Sequence, residues 1–119
     1  MLKPFFAVCM ASVGLAGLSA VTAFSQDYPN KPVRIVTSPA GGGNDFVARL
    51  VARAMSGSLG QQVIVDNRPT VLIADLVAKA APDGYTLLLS GSAHWIGPLI
   101  EKTSYDPIKD FSTITLVDR

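Results

Sequence analysis

The chain has 119 residues, one cysteine, one histidine and a formal net charge of +1. That length holds one small domain. Ten Lys and Arg against nine Asp and Glu leave no basic stripe, which argues against a nucleic-acid partner, and the scarcity of His and Cys argues against a dedicated metal site.

Residues 1–25 read as an export signal rather than as fold. Lys3 gives a positive start, Phe5 to Phe24 is an uncharged apolar run, and small residues gather at Ala20, Ala23 and Ser25 before polar Gln26-Asp27. Cleavage after Ala23 and cleavage after Ser25 both suit this pattern. The alternative is an uncleaved anchor: the run approaches the ~20 residues that span a bilayer, though Ser12, Gly14, Gly17 and Ser19 dilute it. Cys9 follows Val8 rather than a small residue, so lipidation is rejected. Cleavage would remove Cys9 and Lys3, leaving nine basic against nine acidic residues and no thiol chemistry.

The remaining residues, 26–119, alternate between two hydrophobic periods. Val33 to Val36 is a short buried strand. Phe46, Val47, Leu50, Val51, Ala54 and Met55 recur at helical spacing and predict one apolar face over Phe46 to Leu59. Asn44 is placed to cap that helix, Asp45 and Arg49 to pair at i,i+4, and Gly57 and Gly60 to end it. Val63 to Val65 is a second strand and Val71 to Ala81 a second helix, stopped at Pro82-Asp83-Gly84. Tyr85 to Leu89 is a third strand, apolar enough to be covered on both faces. Ser90 to His94 is a loop, Gly97 to Ile100 and Asp106 to Asp110 are single turns, and Ser112 to Val117 begins another strand. The alternation predicts an α/β fold: an open, mostly parallel sheet with flanking helices and right-handed crossovers.

Between the first strand and the first helix lies Ser38-Pro39-Ala40-Gly41-Gly42-Gly43-Asn44-Asp45. Glycines let the backbone turn sharply and approach a ligand, and the following helix aims free N–H groups and the positive end of its dipole at the loop. Strand, glycine loop and helix N-terminus together make an anion site. The same three glycines equally suit a tight βα turn with no ligand. The loop after the third strand, Ser90-Gly91-Ser92-Ala93-His94-Trp95, would lie at the same edge, where ligands of open α/β sheets bind. Taken alone it reads as a polar loop facing water.

Enzyme readings find little support. Gly41-Gly42-Gly43 is neither the dinucleotide fingerprint nor a P-loop. Ser90, Ser92 and His94 with an Asp could be drawn as a triad, but no nucleophile-elbow motif accompanies them. His94 reads as a loop donor rather than a base, and Trp95 as core or cleft wall.

Five separated blocks resemble one family. They are Tyr28-Pro29-Asn30-Lys31-Pro32-Val33-Arg34-Ile35-Val36 with Pro39 to Arg49; Leu59-Gly60-Gln61; Val63-Ile64-Val65-Asp66-Asn67-Arg68-Pro69; Val77 to Leu88, with Pro82-Asp83-Gly84-Tyr85 at its centre; and Tyr105 to Phe111 with Ile114 to Val117. In this order they resemble the Bug-type (TctC-like) solute receptors, the extracytoplasmic substrate-binding proteins of tripartite tricarboxylate transporters. The resemblance implies a periplasmic, non-enzymatic, cofactor-free receptor of the two-lobed type II periplasmic-binding-protein fold. Its partners would be a small carboxylate and the membrane subunits of the transporter. It places the ligand at Ala40, Gly41, Gly42, Gly43, Asn44 and Asp45, with Ser90, Ser92 and His94 lining the cleft.

Three departures qualify it. Family members usually carry a second glycine-rich loop after Asn-Arg-Pro, where this chain runs from Arg68-Pro69 into Thr70-Val71-Leu72-Ile73-Ala74. Thr37-Ser38 replaces a Pro-aromatic pair. The sequence stops at Arg119, where members continue through the rest of the first lobe and a second lobe. The expectation is therefore a partial first lobe, residues 26–119, with a weakened carboxylate site. The alternative is a degenerate secreted product that binds no ligand tightly.

Overall fold

The computed structural model describes residues 27–117. The export segment, its cleavage point and Cys9 lie outside the described residues, as do Asp118 and Arg119.

Three parallel strands form one sheet in the order β2-β1-β3: β1 (Val33–Thr37), β2 (Val63–Asn67) and β3 (Thr86–Leu88). Val33 pairs with Val63 and Thr37 with Asn67 on one side of β1, and Arg34 pairs with Thr86 and Val36 with Leu88 on the other. The central strand is therefore the most covered: Val33, Ile35, Val36 and Thr37 are all buried. β3 is half-buried rather than covered on both faces, because it occupies an edge.

The helices α1 (Gly43–Leu59), α2 (Thr70–Ala78) and α3 (Ala93–Ile100) each follow one strand. Parallel strands with βα connections bring all three helix N-termini to one edge of the sheet. The buried stripe of α1 is Asp45, Ala48 and Ala52, flanked by half-buried Val51, Met55 and Leu59. This corrects the expected face: Phe46 is 65% and Leu50 52% exposed, because the small alanines let the helix lie close against Val33, Ile35 and Val63. Gly60 ends α1 in the left-handed conformation, φ 65°, and Gly57 lies inside the helix.

Two further expectations are corrected. Ser112 to Val117 forms no strand, and among the described residues nothing pairs with the outer edge of β3. An extended segment gains ladder hydrogen bonds only from a neighbour. The second is α3, which is longer than one turn and includes His94. Pro98 in its interior cannot donate to the His94 carbonyl, and the Tyr105 hydroxyl donates there instead at 3.2 Å. Among the described residues no helix is long and apolar enough to cross a membrane.

Candidate functional site

The loop leaving β1 is held from both sides. Thr37 Oγ1 donates to the Leu89 carbonyl at 2.9 Å, and the Arg68 N–H donates to the Thr37 carbonyl at 2.9 Å. Both neighbouring strands thus fix the point where the Ser38–Gly42 turn begins.

Gly41 is the residue whose backbone demands glycine, with φ +88°. Its N–H donates to Asp45 Oδ2 at 3.0 Å. Asp45 is buried, and its carboxylate also accepts from Asn67 Nδ2 at 2.9 Å and from Arg49 Nε at 3.0 Å. These donors, with the Gly41 N–H foremost, then Arg49 and Asn67, push its pKa down to about 2. The expected Asp45–Arg49 pair is present, and its role is larger than a surface pair, since it closes a ring. Arg49 Nη2 donates to Asn67 Oδ1 at 3.2 Å, and Asn67 Nδ2 donates to the Ser38 carbonyl at 2.8 Å.

Asn44 does not cap α1. The N-cap is Gly42, in extended conformation (φ −87°, ψ 171°), with no side-chain cap bond. The first helical bond is the Phe46 N–H to the Gly42 carbonyl at 3.1 Å. Among the described hydrogen bonds the N–H groups of Gly42, Gly43, Asn44 and Asp45 have no partner. These are the orphan donors of a helix start. Asn44 turns its side chain toward the second loop: a Cβ on Gly91 would lie 3.7 Å from both Asn44 Nδ2 and Oδ1.

Gly42 and Gly43 differ from Gly41. Neither has positive φ. A Cβ on Gly43 would meet nothing within 4 Å, and one on Gly42 only the Pro39 carbonyl oxygen at an ordinary 3.6 Å. Neither backbone nor packing requires glycine at these two positions.

The structure brings Ala40 to Asp45 together with Ser90 and Ser92 at one end of the sheet. It places the His94 ring elsewhere. His94 is buried in α3, stacked on Tyr105 at 5.4 Å and 6°, with Trp95 and Phe111 edge-on at 4.8 Å. Its Nδ1 is buried with no hydrogen-bond partner. Burial pushes its pKa below the ordinary 6.5, opposed by a hydrogen bond to the Pro107 carbonyl. Among the described residues no group of three or more His, Cys, Asp or Glu could hold a metal ion.

Asn67 lies outside the motifs legible in the sequence that point to the site, yet it bonds both Asp45 and the Ser38 carbonyl. The available signal was its place as the last residue of a strand lying parallel to the strand before the loop, which brings its side chain under the loop.

A cavity of about 300 Å³ opens between the N-terminus of α2 and the length of α3, lined by Thr70, Val71, Ser92, Ile96, Ile100 and Tyr105. A wider groove runs along the outer edge of β2, past Arg49, Arg53 and Ile64.

Comparisons with known proteins place the fold. Residues 47–119 match the family described as "Tripartite tricarboxylate transporter family receptor". A UPF0065 protein of Bordetella bronchiseptica is 44% identical over 109 residues, 87% of this chain and 32% of its own. BugT of Bordetella pertussis is 38% identical over 112 residues, 88% of this chain and 34% of its own. The chain thus spans about a third of the length of these curated relatives. The solved periplasmic binding protein BugD superposes with a TM-score of 0.64 at 37% identity, over 71% of this chain and 30% of BugD. A second solved structure, a periplasmic transporter, gives 0.61 at 38% identity, over 69% of this chain and 30% of its own.

Proposed function

This chain belongs to the tripartite tricarboxylate transporter receptor family, and from that premise we propose that it supplies the first-lobe half of a periplasmic site for a small carboxylate. Gly42 and Gly43 carry the reading. They lack side chains where neither conformation nor packing calls for it, and they leave four unpartnered N–H groups open to an approaching anion. Neutral amides and a helix dipole suit a carboxylate with no Lys or Arg in the loop. Gly41 and Asp45 shape the loop, since each is spent on the other. Ala40 precedes the turn, Asn44 lies against Gly91, and Ser90 and Ser92 follow β3 at the same edge of the sheet. The His94 ring stays off the loop and packs behind Tyr105. The receptor would reach the periplasm through a cleavage that leaves its mature N-terminus between Phe24 and Asp27, and would deliver its ligand to membrane subunits of the transporter.

A helix end contributes about 0.3–1 kcal/mol when exposed and about 2 when partly buried. The described residues alone therefore support millimolar affinity at best, near ~−4 kcal/mol. A second reading, a secreted product that binds nothing tightly, is favoured by the exposure of Val71, Leu99 and Ile100, which leaves the unit short of core.

Amide NMR of the chain lacking residues 1–25, titrated with citrate, succinate, glutamate and nicotinate, tests the site. Shifts centred on Gly42 to Asp45, abolished in Gly42→Val, are expected. Shifts that persist in that variant would move the ligand off this loop. Silence toward all four acids would favour the second reading.

A further inference from the structure

We infer that the ligand is a monocarboxylate with an apolar body, and that the body enters the cavity between the N-terminus of α2 and the length of α3; this rests on the proposed carboxylate site. The cavity is about 300 Å³ and is lined by Thr70, Val71, Ser92, Ile96, Ile100 and Glu101 among others. Three features select its occupant.

The first is contiguity. Ser92 lines the cavity, and its neighbour Gly91 lies against the Asn44 side chain in the first turn of α1. A carboxylate on the free N–H groups of Gly42 to Asp45 therefore has the cavity beside it.

The second is charge. Among the described residues no Lys or Arg lines this cavity, and its one charged lining residue is Glu101. Among the described residues a second carboxylate there would meet no cation and would stand near the like charge of Glu101. Citrate or succinate would carry that penalty, and a monocarboxylate would not.

The third is surface chemistry. Val71, Ile96 and Ile100 give the walls apolar area, and covering it with an apolar group is favourable in proportion to the area removed from water. The Thr70 and Ser92 side chains make no hydrogen bond among those described, so their neutral hydroxyls remain available to a ring nitrogen or hydroxyl of the ligand. Val71 stands at the start of α2, where it is 77% exposed. It is thus a specificity-determining position that tolerates exchange.

The test is amide NMR on residues 26–119 and on their Val71→Lys variant, with benzoate, succinate and citrate as probes and benzamide as the probe lacking a carboxylate. Benzoate is expected to bind about tenfold more tightly than succinate or citrate, shifting Val71 and Ile96 as well as Gly42 to Asp45, with benzamide silent. In Val71→Lys the order should invert in favour of succinate. The spectrum itself reports that each variant is folded. Succinate or citrate binding as well as benzoate, or benzoate leaving Val71 and Ile96 unmoved, would overturn the inference while leaving the carboxylate site standing. If none of the acids binds, the carboxylate site falls and the inference with it.

Discussion

Asn67 Nδ2 donates to Asp45 Oδ1 at 2.9 Å, tying the last residue of β2 to the first turn of α1. The same amide nitrogen holds the Ser38 carbonyl at 2.8 Å, so one side chain anchors the loop at both ends. Replacing Asn67 by Ala removes both bonds and leaves part of the Asp45 carboxylate unmet. A loss of about 2 kcal/mol is expected, read as a lower urea midpoint at unchanged slope. Asn67→Asp should cost more, because a like charge would then face Asp45.

Asp45 makes the fold acid-sensitive. Its pKa falls from 3.8 to about 2 in the folded chain, through the Gly41 N–H, Arg49 and Asn67. A depressed folded pKa stabilises the native state above the unfolded value, and that contribution is lost as pH falls from about 4 through about 2. Acid titration of Asp45→Asn should show a flatter stability profile over that window. An unchanged profile would mean that the carboxylate ring does not persist in solution.

The three glycines of the loop should separate by substitution. Gly41→Ala forces an L-residue into φ +88° and is expected to destabilise by about 1–2 kcal/mol. Gly43→Ala meets nothing within 4 Å and replaces a poor helix former, so it should hold or raise the melting temperature. Parallel thermal melts of the two variants check the contrast.

His94 predicts a second pH effect near neutrality. Its pKa is lowered by burial, so the unfolded chain takes up the proton first as pH drops below about 6.5, and stability declines from there until the folded ring titrates. Denaturation of His94→Phe should lack this decline between about pH 7 and 5. A wild-type midpoint that stays flat across that range would contradict it.

Exposed apolar surface predicts association. Val71, Leu99, Ile100, Ile114 and Leu116 are each at least 75% exposed, and the outer edge of β3 has no strand beside it among the described residues. Unpaired edges and apolar patches template self-association. Sedimentation of the chain lacking residues 1–25 should shift to larger species with concentration, and Leu99→Lys with Ile100→Lys should reduce the shift. A clean monomer throughout would refute this.

The sequence by itself determined the α/β alternation, the three strands, the position of the glycine loop before α1 and the family, because strand and helix periods, glycine placement and block order are local properties of the chain. It also determined that Asp45 and Arg49 meet, since i,i+4 spacing fixes that pair. Tertiary structure decided which face of α1 is buried: close packing on the sheet favoured Ala48 and Ala52 over the larger Phe46 and Leu50. It decided that Asn67, twenty-two residues beyond Asp45, anchors the loop, because only the parallel register of β1 with β2 brings the two together. It also turned His94 from a loop into an aromatic cluster with Tyr105 and Phe111, a contact across residues that no local period connects.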